Sequence, residues 1–207
     1  MRLEEFSPAK QISGIAMVGF LLACTHNVAP KVTPSKIPAV QPAIRARAVL
    51  LITPSFEAYT SQSSEGFHHY NYHLGESASG ALQDLVKNSF DHGMTQRLSD
   101  ADVVRWLGAP PDTSAADVLL VPYFETGGTK QGLLKASADV RLRLDVRPYR
   151  GNATYSWTAE GHSGRALSSR RGLTGSALEQ ALSGLSDSLA AHRAQLEASG
   201  GQLGRDP

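Results

Sequence analysis

Cysteine is almost absent from this chain of 207 residues, in which Cys24 stands alone, so no internal disulfide can form. The sequence also lacks the motifs G-x-S-x-G, H-E-x-x-H and C-x-x-C and the Walker phosphate-binding loop. No nucleophile and base can be paired from such motifs. We therefore expect no enzymatic activity, no cofactor and no metal site.

An excess of charge of one sign is also missing. The net charge is +1, with 19% charged and 41% hydrophobic residues. This composition argues against a disordered chain and provides no strongly basic surface for a polyanion. We expect a folded protein that does not bind nucleic acid.

The chain has no hydrophobic run of membrane-spanning length. As a helix, the apolar stretch Ile12–Ala23 would span about 18 Å, short of the roughly 30 Å hydrocarbon core. Arg2 and Lys10 precede it, as basic residues precede the apolar part of a secretory signal. The sequence therefore predicts a signal peptide over residues 1–23.

The end of this stretch, Leu21-Leu22-Ala23-Cys24, resembles a bacterial lipobox. The resemblance implies signal cleavage between Ala23 and Cys24, a diacylglycerol on the Cys24 thiol and an acyl chain on its new amino group. Such acylation anchors a protein stably to a membrane without spanning it. Thr25 after the cysteine, in place of aspartate, implies the outer membrane and a protein that faces the periplasm. Ordinary secretion and a retained anchor are the alternatives.

Prolines recur every four residues after the cysteine, at positions 30, 34, 38 and 42. Proline lacks a backbone donor and favours extended chain, which predicts a semi-rigid linker over residues 24–46. At about 3.1 Å per residue, Thr25–Arg45 would reach about 65 Å. One periplasmic domain is expected over residues 47–198 and a flexible tail over residues 199–207.

Hydrophobic patterns predict the elements of the domain. In the first half they are a central strand Ala48–Ile52, a polar, aromatic-rich loop Ser55–His73, a helix Glu76–His92 stopped by Gly93, a short strand Thr95–Leu98, and a short helix Asp100–Leu107 between Ser99 and Pro110-Pro111. In the second half they are a strand Asp117–Glu125 with an edge or bulge at Pro122, a strictly alternating strand Ala136–Arg147, a turn at Gly151-Asn152, a strand Ala153–His162, and a helix Ser176–Glu197 opened by a capping box. The residues of this last helix expected to face inward are Leu178, Ala181, Leu182, Leu185, Leu189 and Leu196.

This order predicts an α+β fold, with a mixed, mostly antiparallel sheet of about five strands and two main helices. At these elements the chain resembles small outer-membrane lipoproteins of the YajG and PelC kind, whose folded part is similar to the N-terminal domain of TolB. The features that match are Leu21–Cys24, the strand ending at Pro54, the helix closed by Gly93, the strand entry Ala116–Leu120 and the hairpin Val140–Trp157. The resemblance implies a non-catalytic role in envelope assembly or export, with other envelope proteins as partners and a homo-oligomer like the rings of PelC-like members.

One face of the alternating strand is charged and forms a candidate partner interface. Arg141, Arg143 and Arg147 alternate there with the core residues, and Asp139 and Asp145 share the face. Such a mixed-charge face is either a solvated surface of weak ion pairs or a contact surface whose charges fix register.

The aromatic-rich loop is the second candidate interface, through Phe67, Tyr70 and Tyr72. Its rings either bind a protein or glycan or lie on the domain's own core. His69 and His73 would share a helical face able to bind zinc, but the ligand set is incomplete and no metal is expected. A binding module for envelope glycan or peptidoglycan is therefore the alternative to the assembly role.

The lipobox generates a direct prediction. Cys24→Ser removes the acceptor thiol, so the variant should accumulate as uncleaved precursor and lose labelling by radioactive palmitate. A serine variant that is still processed and labelled would show that the lipobox interpretation is wrong.

Overall fold

The computed structural model describes residues 24–65, 68–109, 116–131, 135–149, 153–166 and 171–200. The strands are β1 Cys24–Val28, β2 Ile44–Ile52, β3 Thr60–Glu65, β4 His68–His73, β5 Phe90–Arg97, β6 Val118–Gln131, β7 Lys135–Pro148 and β8 Tyr155–Ala166. The helices are α1 Pro54–Glu57, α2 Leu74–Ser89, α3 Asp100–Gly108, α4 Arg171–Ala191 and α5 Arg193–Gly200. The predicted signal peptide, Phe67, Pro110-Pro111 and the Gly151-Asn152 turn lie outside the described residues. No described helix combines the length and the apolar character needed to cross a membrane.

The predicted α+β fold with a mixed sheet of five strands is confirmed. The strand order is β5-β2-β6-β7-β8, with parallel pairs on both sides of β2 and antiparallel pairs from β6 to β8. The aliphatic run in β2 is buried on both faces, as predicted for a central strand. In β7, the residues of one face alternate into the core as the period of two requires. These buried residues are Ala136, Ala138, Val140, Leu142, Leu144 and Val146.

The two main helices, α2 and α4, cover one face of this sheet and enclose the larger core. The six residues of the last predicted helix that were expected to face inward are all buried there. A smaller core on the opposite face lies beside α3, where Val103 packs with Val49 and Leu119. Helix α3 begins as predicted, because the Ser99 hydroxyl accepts a hydrogen bond of 3.1 Å from the backbone N–H of Asp102.

Helix α4 approaches β8 very closely at Gly161. A Cβ atom at this position would lie 1.7 Å from the carbonyl oxygen of Ala177, a distance that no real side chain could tolerate. The glycine thus lets the helix backbone rest on the strand. Close packing at this crossing brings the leucines of α4 into the core.

Gly93 has a role different from the predicted helix stop. Helix α2 already ends at Ser89, and Phe90 is extended, with φ −119° and ψ 150°. Gly93 lies inside β5, where a Cβ atom would meet the carbonyl oxygen of Val86 at 2.3 Å. The glycine therefore permits the strand to fold back tightly along the helix that precedes it.

The predicted capping box at Ser176 is wrong, since α4 starts at Arg171 and residue 176 lies in its second turn. Its Glu179 is turned away from the helix end and accepts hydrogen bonds from Thr33 N–H at 2.8 Å and Lys36 Nζ at 2.9 Å. The helix is also interrupted before Arg193, and the intervening His192 ring stacks on Trp157 with centroids 4.6 Å apart.

The predicted loop over residues 55–73 is wrong as well. It contains α1 and the antiparallel hairpin of β3 and β4, and β1 adds to β4 in parallel, giving a three-stranded sheet of order β1-β4-β3. The strands of this sheet are polar, which explains why a hydrophobic pattern did not show them.

Strand β6 continues through Pro122, where an edge or a bulge was predicted. Pro122 lies beyond the segment of β6 that pairs with β2, and a register shift follows between Phe124 and Thr126.

Residues 29–46 are held against the domain, which corrects the picture of a linker that stands free. Ile37 and Val40 are buried, and the Val40 N–H donates to Ser89 Oγ at 3.0 Å. The Pro30 carbonyl accepts a hydrogen bond of 2.8 Å from Ser77. The segment is not extended throughout, since Pro34–Lys36 form a 3-10 helix. Its apolar side chains and its backbone polar groups find partners on α2 and α4.

The glycine crossing predicts a position-specific loss of stability. Gly161→Ala should lower the free energy of unfolding by about 3 kcal/mol, because α4 must move away from β8. Gly164→Ala in the same strand is the control, since its nearest contact would be 3.8 Å away. It should change stability by less than about 0.5 kcal/mol in urea unfolding. Equal effects would contradict the close crossing.

The Glu179 contacts predict a pH dependence. Burial raises the pKa of Glu179, but the hydrogen bonds from Lys36 and Thr33 together outweigh it and leave the pKa below its usual value of 4.5. Because this pKa is lower in the folded state than in the unfolded state, ionised Glu179 stabilises the fold at pH values above 4.5. The stabilisation is lost as the pH falls through the pKa of the folded state.

Glu179→Gln should therefore cost about 1 kcal/mol of unfolding free energy at neutral pH. The difference from the native protein should shrink on acidification. Glu76→Gln, at an exposed position in the first turn of α2, is the control and should shift stability by only about 0.3 kcal/mol. A pH-independent loss at Glu179 would contradict this assignment.

Candidate functional site

The charged face of β7 lies on the side of the sheet opposite α2 and α4. Arg141 is the register partner of Glu160 on β8, and their side chains form an ion pair. Both are largely exposed, at 46% and 64% of their side-chain surface. The predicted interface residue is thus accessible, and its charge is matched by a neighbouring strand.

Arg143 lies at the centre of a second group on the same face. Its guanidinium stands 4.6 Å from the centroid of the Tyr123 ring. Its Nε lies 3.1 Å from Asp145 Oδ1 without hydrogen-bond geometry, and its Nη1 lies 3.8 Å from Glu125. Burial raises the pKa of Tyr123, and Asp145 adds to that shift while Arg143 opposes it. This arrangement holds Arg143 in a fixed position on the surface.

Arg147 does not share this exposure. It lies opposite Leu119 near the smaller core, and only 7% of its surface is accessible. Among the described residues its Nε has no hydrogen-bond partner. The sequence placed Arg147 on the candidate interface, but its burial removes it from the surface that a partner could touch.

An open cleft of about 630 Å³ adjoins the Arg141–Glu160 pair. His162 Nδ1 lies 2.6 Å from Asp139 Oδ1, and the backbone N–H of His162 donates to Gln180 Oε1 at 2.7 Å. The charges lining the cleft are paired with one another, so it attracts neither sign strongly. Sequence reasoning did not select His162, because only the hairpin register brings it opposite Asp139.

The predicted aromatic surface lies on the three-stranded sheet. His26 of β1 stacks on Tyr70 of β4 with centroids 5.1 Å apart, and His26 Nε2 lies 3.2 Å from His68 Nδ1. His69 and Tyr70 point to opposite faces, as neighbours in a strand do. His26 was missed because the pairing of β1 with β4 is a long-range contact without a local signal.

Tyr72 is a core residue. It is 5% exposed, and burial raises the pKa of its hydroxyl, with Thr129 of β6 opposing the shift. It therefore joins the small sheet to the large one and is not accessible to a partner. Gly127 of β6 allows this approach, since a Cβ atom there would lie 2.6 Å from Leu74 Cδ1. Gly128 lies beside Ser61 with room for a Cβ atom.

The zinc hypothesis for His69 and His73 loses its geometric basis. The two residues lie in strand β4 instead of a helix, about 13 Å apart at 3.3 Å per residue. Their ring nitrogens face Ser64 and Thr60, at 2.8 and 3.5 Å. Within the described part of the chain, no three His, Cys, Asp or Glu side chains are grouped to hold a metal ion.

Cys24 is exposed and is the first residue of β1, where it lies in register with His68. The residue predicted to carry the lipid thus belongs to a strand of the fold. Ala23, on the other side of the predicted cleavage point, lies outside the described residues.

No family model matches the chain, and no curated protein matches it. Solved structures with a similar arrangement include a Xanthomonas campestris protein, at 12% identity and a TM-score of 0.43, over 86% of this chain and 99% of that one. A hypothetical protein from Chlamydia trachomatis has 12% identity and a TM-score of 0.49, over 73% and 99% of the two chains. A PelC dodecamer from Paraburkholderia phytofirmans has 13% identity and a TM-score of 0.35, over 72% and 91%.

Proposed function

We propose that this protein is a lipid-anchored, non-catalytic accessory protein of the cell envelope, which supports an export or outer-membrane complex through protein contacts. Cys24 carries the lipid anchor on the periplasmic side of the outer membrane. The folded domain supplies the contact surface.

The observation that carries the proposal is the exposed, internally paired charge pattern on β7 and β8. Arg141 and Glu160 are accessible, and Arg143 is held over Tyr123 by aromatic and acidic neighbours. Fixed charges of both signs set the register and orientation of a protein contact more than they set its strength. Arginine and tyrosine are also enriched in such contacts. The same surface would serve a homo-oligomer or a different envelope protein.

A second candidate function is the binding of envelope glycan by the small sheet. A hollow of about 260 Å³ there is lined by Gln62, Ser64, His69 and Asn71, whose amide, hydroxyl and ring groups suit sugar hydroxyls. The hollow is smaller than most ligand sites, which favours the protein-contact function.

A charge swap tests the protein-contact proposal without breaking the ion pair. The double variant Arg141→Glu with Glu160→Arg keeps opposite charges across the strands but presents them to a partner in reverse. It should unfold like the native protein, yet weaken self-association or co-purification with its envelope complex by about tenfold. Light scattering and quantitative co-purification measure this.

The control is the paired swap of Arg105→Glu with Asp102→Arg on α3, which also exchanges the charges of an exposed ion pair but lies outside β7 and β8. Native-like assembly of the Arg141 variant would contradict the protein-contact surface. A monomer in every case, with saturable glycan binding lost in His69→Ala, would favour the second candidate.

A further inference from the structure

The place where the lipid is attached determines which part of the domain meets the membrane. Cys24 is the first residue of β1, and β1 pairs with β4 in register from Cys24 and His68 to Val28 and Tyr72. No spacer separates the predicted lipid from the folded sheet. This inference rests on the proposed anchor and adds an orientation to it.

The segment that follows β1 is also fixed. Ser77 binds the Pro30 carbonyl, Glu179 binds Thr33 and Lys36, and Val40 binds Ser89. These contacts tie residues 30–40 to both main helices. A lipid at Cys24 is thus coupled to the body of the domain and cannot act as the end of a long tether.

The surface around Cys24 has the chemistry of a membrane interface. His26 and His68 are exposed, and the half-buried Tyr70 stacks on His26. Rings with an apolar body and a polar atom favour the layer where headgroups meet acyl chains. Glu65 of β3 is the register partner of His68, so one acidic residue borders this surface.

Distances along β1 and β4 agree with contact between these rings and the lipid headgroups. His26 and Tyr70 lie two residues beyond Cys24 and His68, which is about 7 Å at 3.3 Å per residue. Each interfacial layer of a bilayer is about 5–8 Å thick, from a total of about 40–45 Å and a core of about 30 Å. Acyl chains inserted from Cys24 therefore bring these rings to the depth of the headgroups.

We propose that the His26, His68 and Tyr70 surface of the three-stranded sheet lies on the lipid headgroups of the leaflet that holds the Cys24 anchor. The partner of this surface is the bilayer, and the charged face of β7 and β8 remains for protein contacts.

Fluorescence quenching by brominated lipid tests the orientation. The full lipidated protein, purified from membranes, is placed in vesicles of phosphatidylethanolamine and phosphatidylglycerol, part of it brominated on the acyl carbons nearest the headgroup. Two variants, Tyr70→Trp and His68→Trp, report on the proposed surface, after subtraction of the emission of Trp106 and Trp157. Two positions keep the test decisive if one substitution disturbs the fold.

The matched control is Tyr155→Trp in β8, which is 39% exposed. Tyr155 is the register partner of Val146 in β7, and Val146 pairs with Leu120 of β6. Leu120 lies eight residues, or about 26 Å, along β6 from Gly128, beside which the small sheet packs. We expect the Tyr70 and His68 variants to lose about half of their added emission, because bromine lies just below the interfacial layer, and the Tyr155 variant to lose almost none.

Flotation of the native protein with the vesicles separates the two proposals. If the protein does not float, the lipid anchor fails and the proposed function fails with it. If it floats while Tyr70→Trp and His68→Trp stay unquenched, or while all three variants are quenched equally, the orientation is wrong and the anchor stands. If the emission of the introduced tryptophans changes with the amount of protein per vesicle and not with bromine, the surface contacts a second copy of the chain. That result would overturn the inference.

Discussion

Helix α4 can lie on β8 only because residue 161 has no side chain, and most of the domain depends on that contact. The turn that crosses Gly161 begins at Ala177, and the next residues face three directions. Leu178 enters the core, Glu179 holds the proline-rich segment, and Gln180 binds the backbone of His162 at the edge of β8. One close approach therefore positions the core, the N-terminal segment and the outer strand of the hairpin together.

Local patterns in the sequence predicted the parts of the fold that depend on local periodicity. The alternation from Ala136 to Val146 and the aliphatic run in β2 identify strands, because each side chain's environment repeats with the backbone. The apolar positions of α4 were likewise readable from their spacing. In these elements, the order of the residues predicts which side chains are buried.

The rest depends on contacts between distant residues and leaves no local pattern. β1 and β3 are polar strands that exist because β4 lies between them. Gly93 and Gly161 act through helices that approach them, which a turn rule cannot anticipate. The candidate surfaces show the same division: the exposure of Arg141 follows from alternation, whereas the burial of Arg147 and Tyr72 depends on what packs above them.

β5 forms the outer edge of the five-stranded sheet in the described part of the chain, and this position bears on aggregation. An open edge offers unpaired backbone groups to any other extended chain. Asp91, His92 and Arg97 place charged or polar groups along this strand, while Met94 is its one large exposed apolar residue. Since Gly93 also fixes β5 against α2, an incoming strand would meet a rigid, polar border. The polar residues of β5 thus disfavour edge-to-edge pairing with other chains, through which the sheet could otherwise extend into larger assemblies.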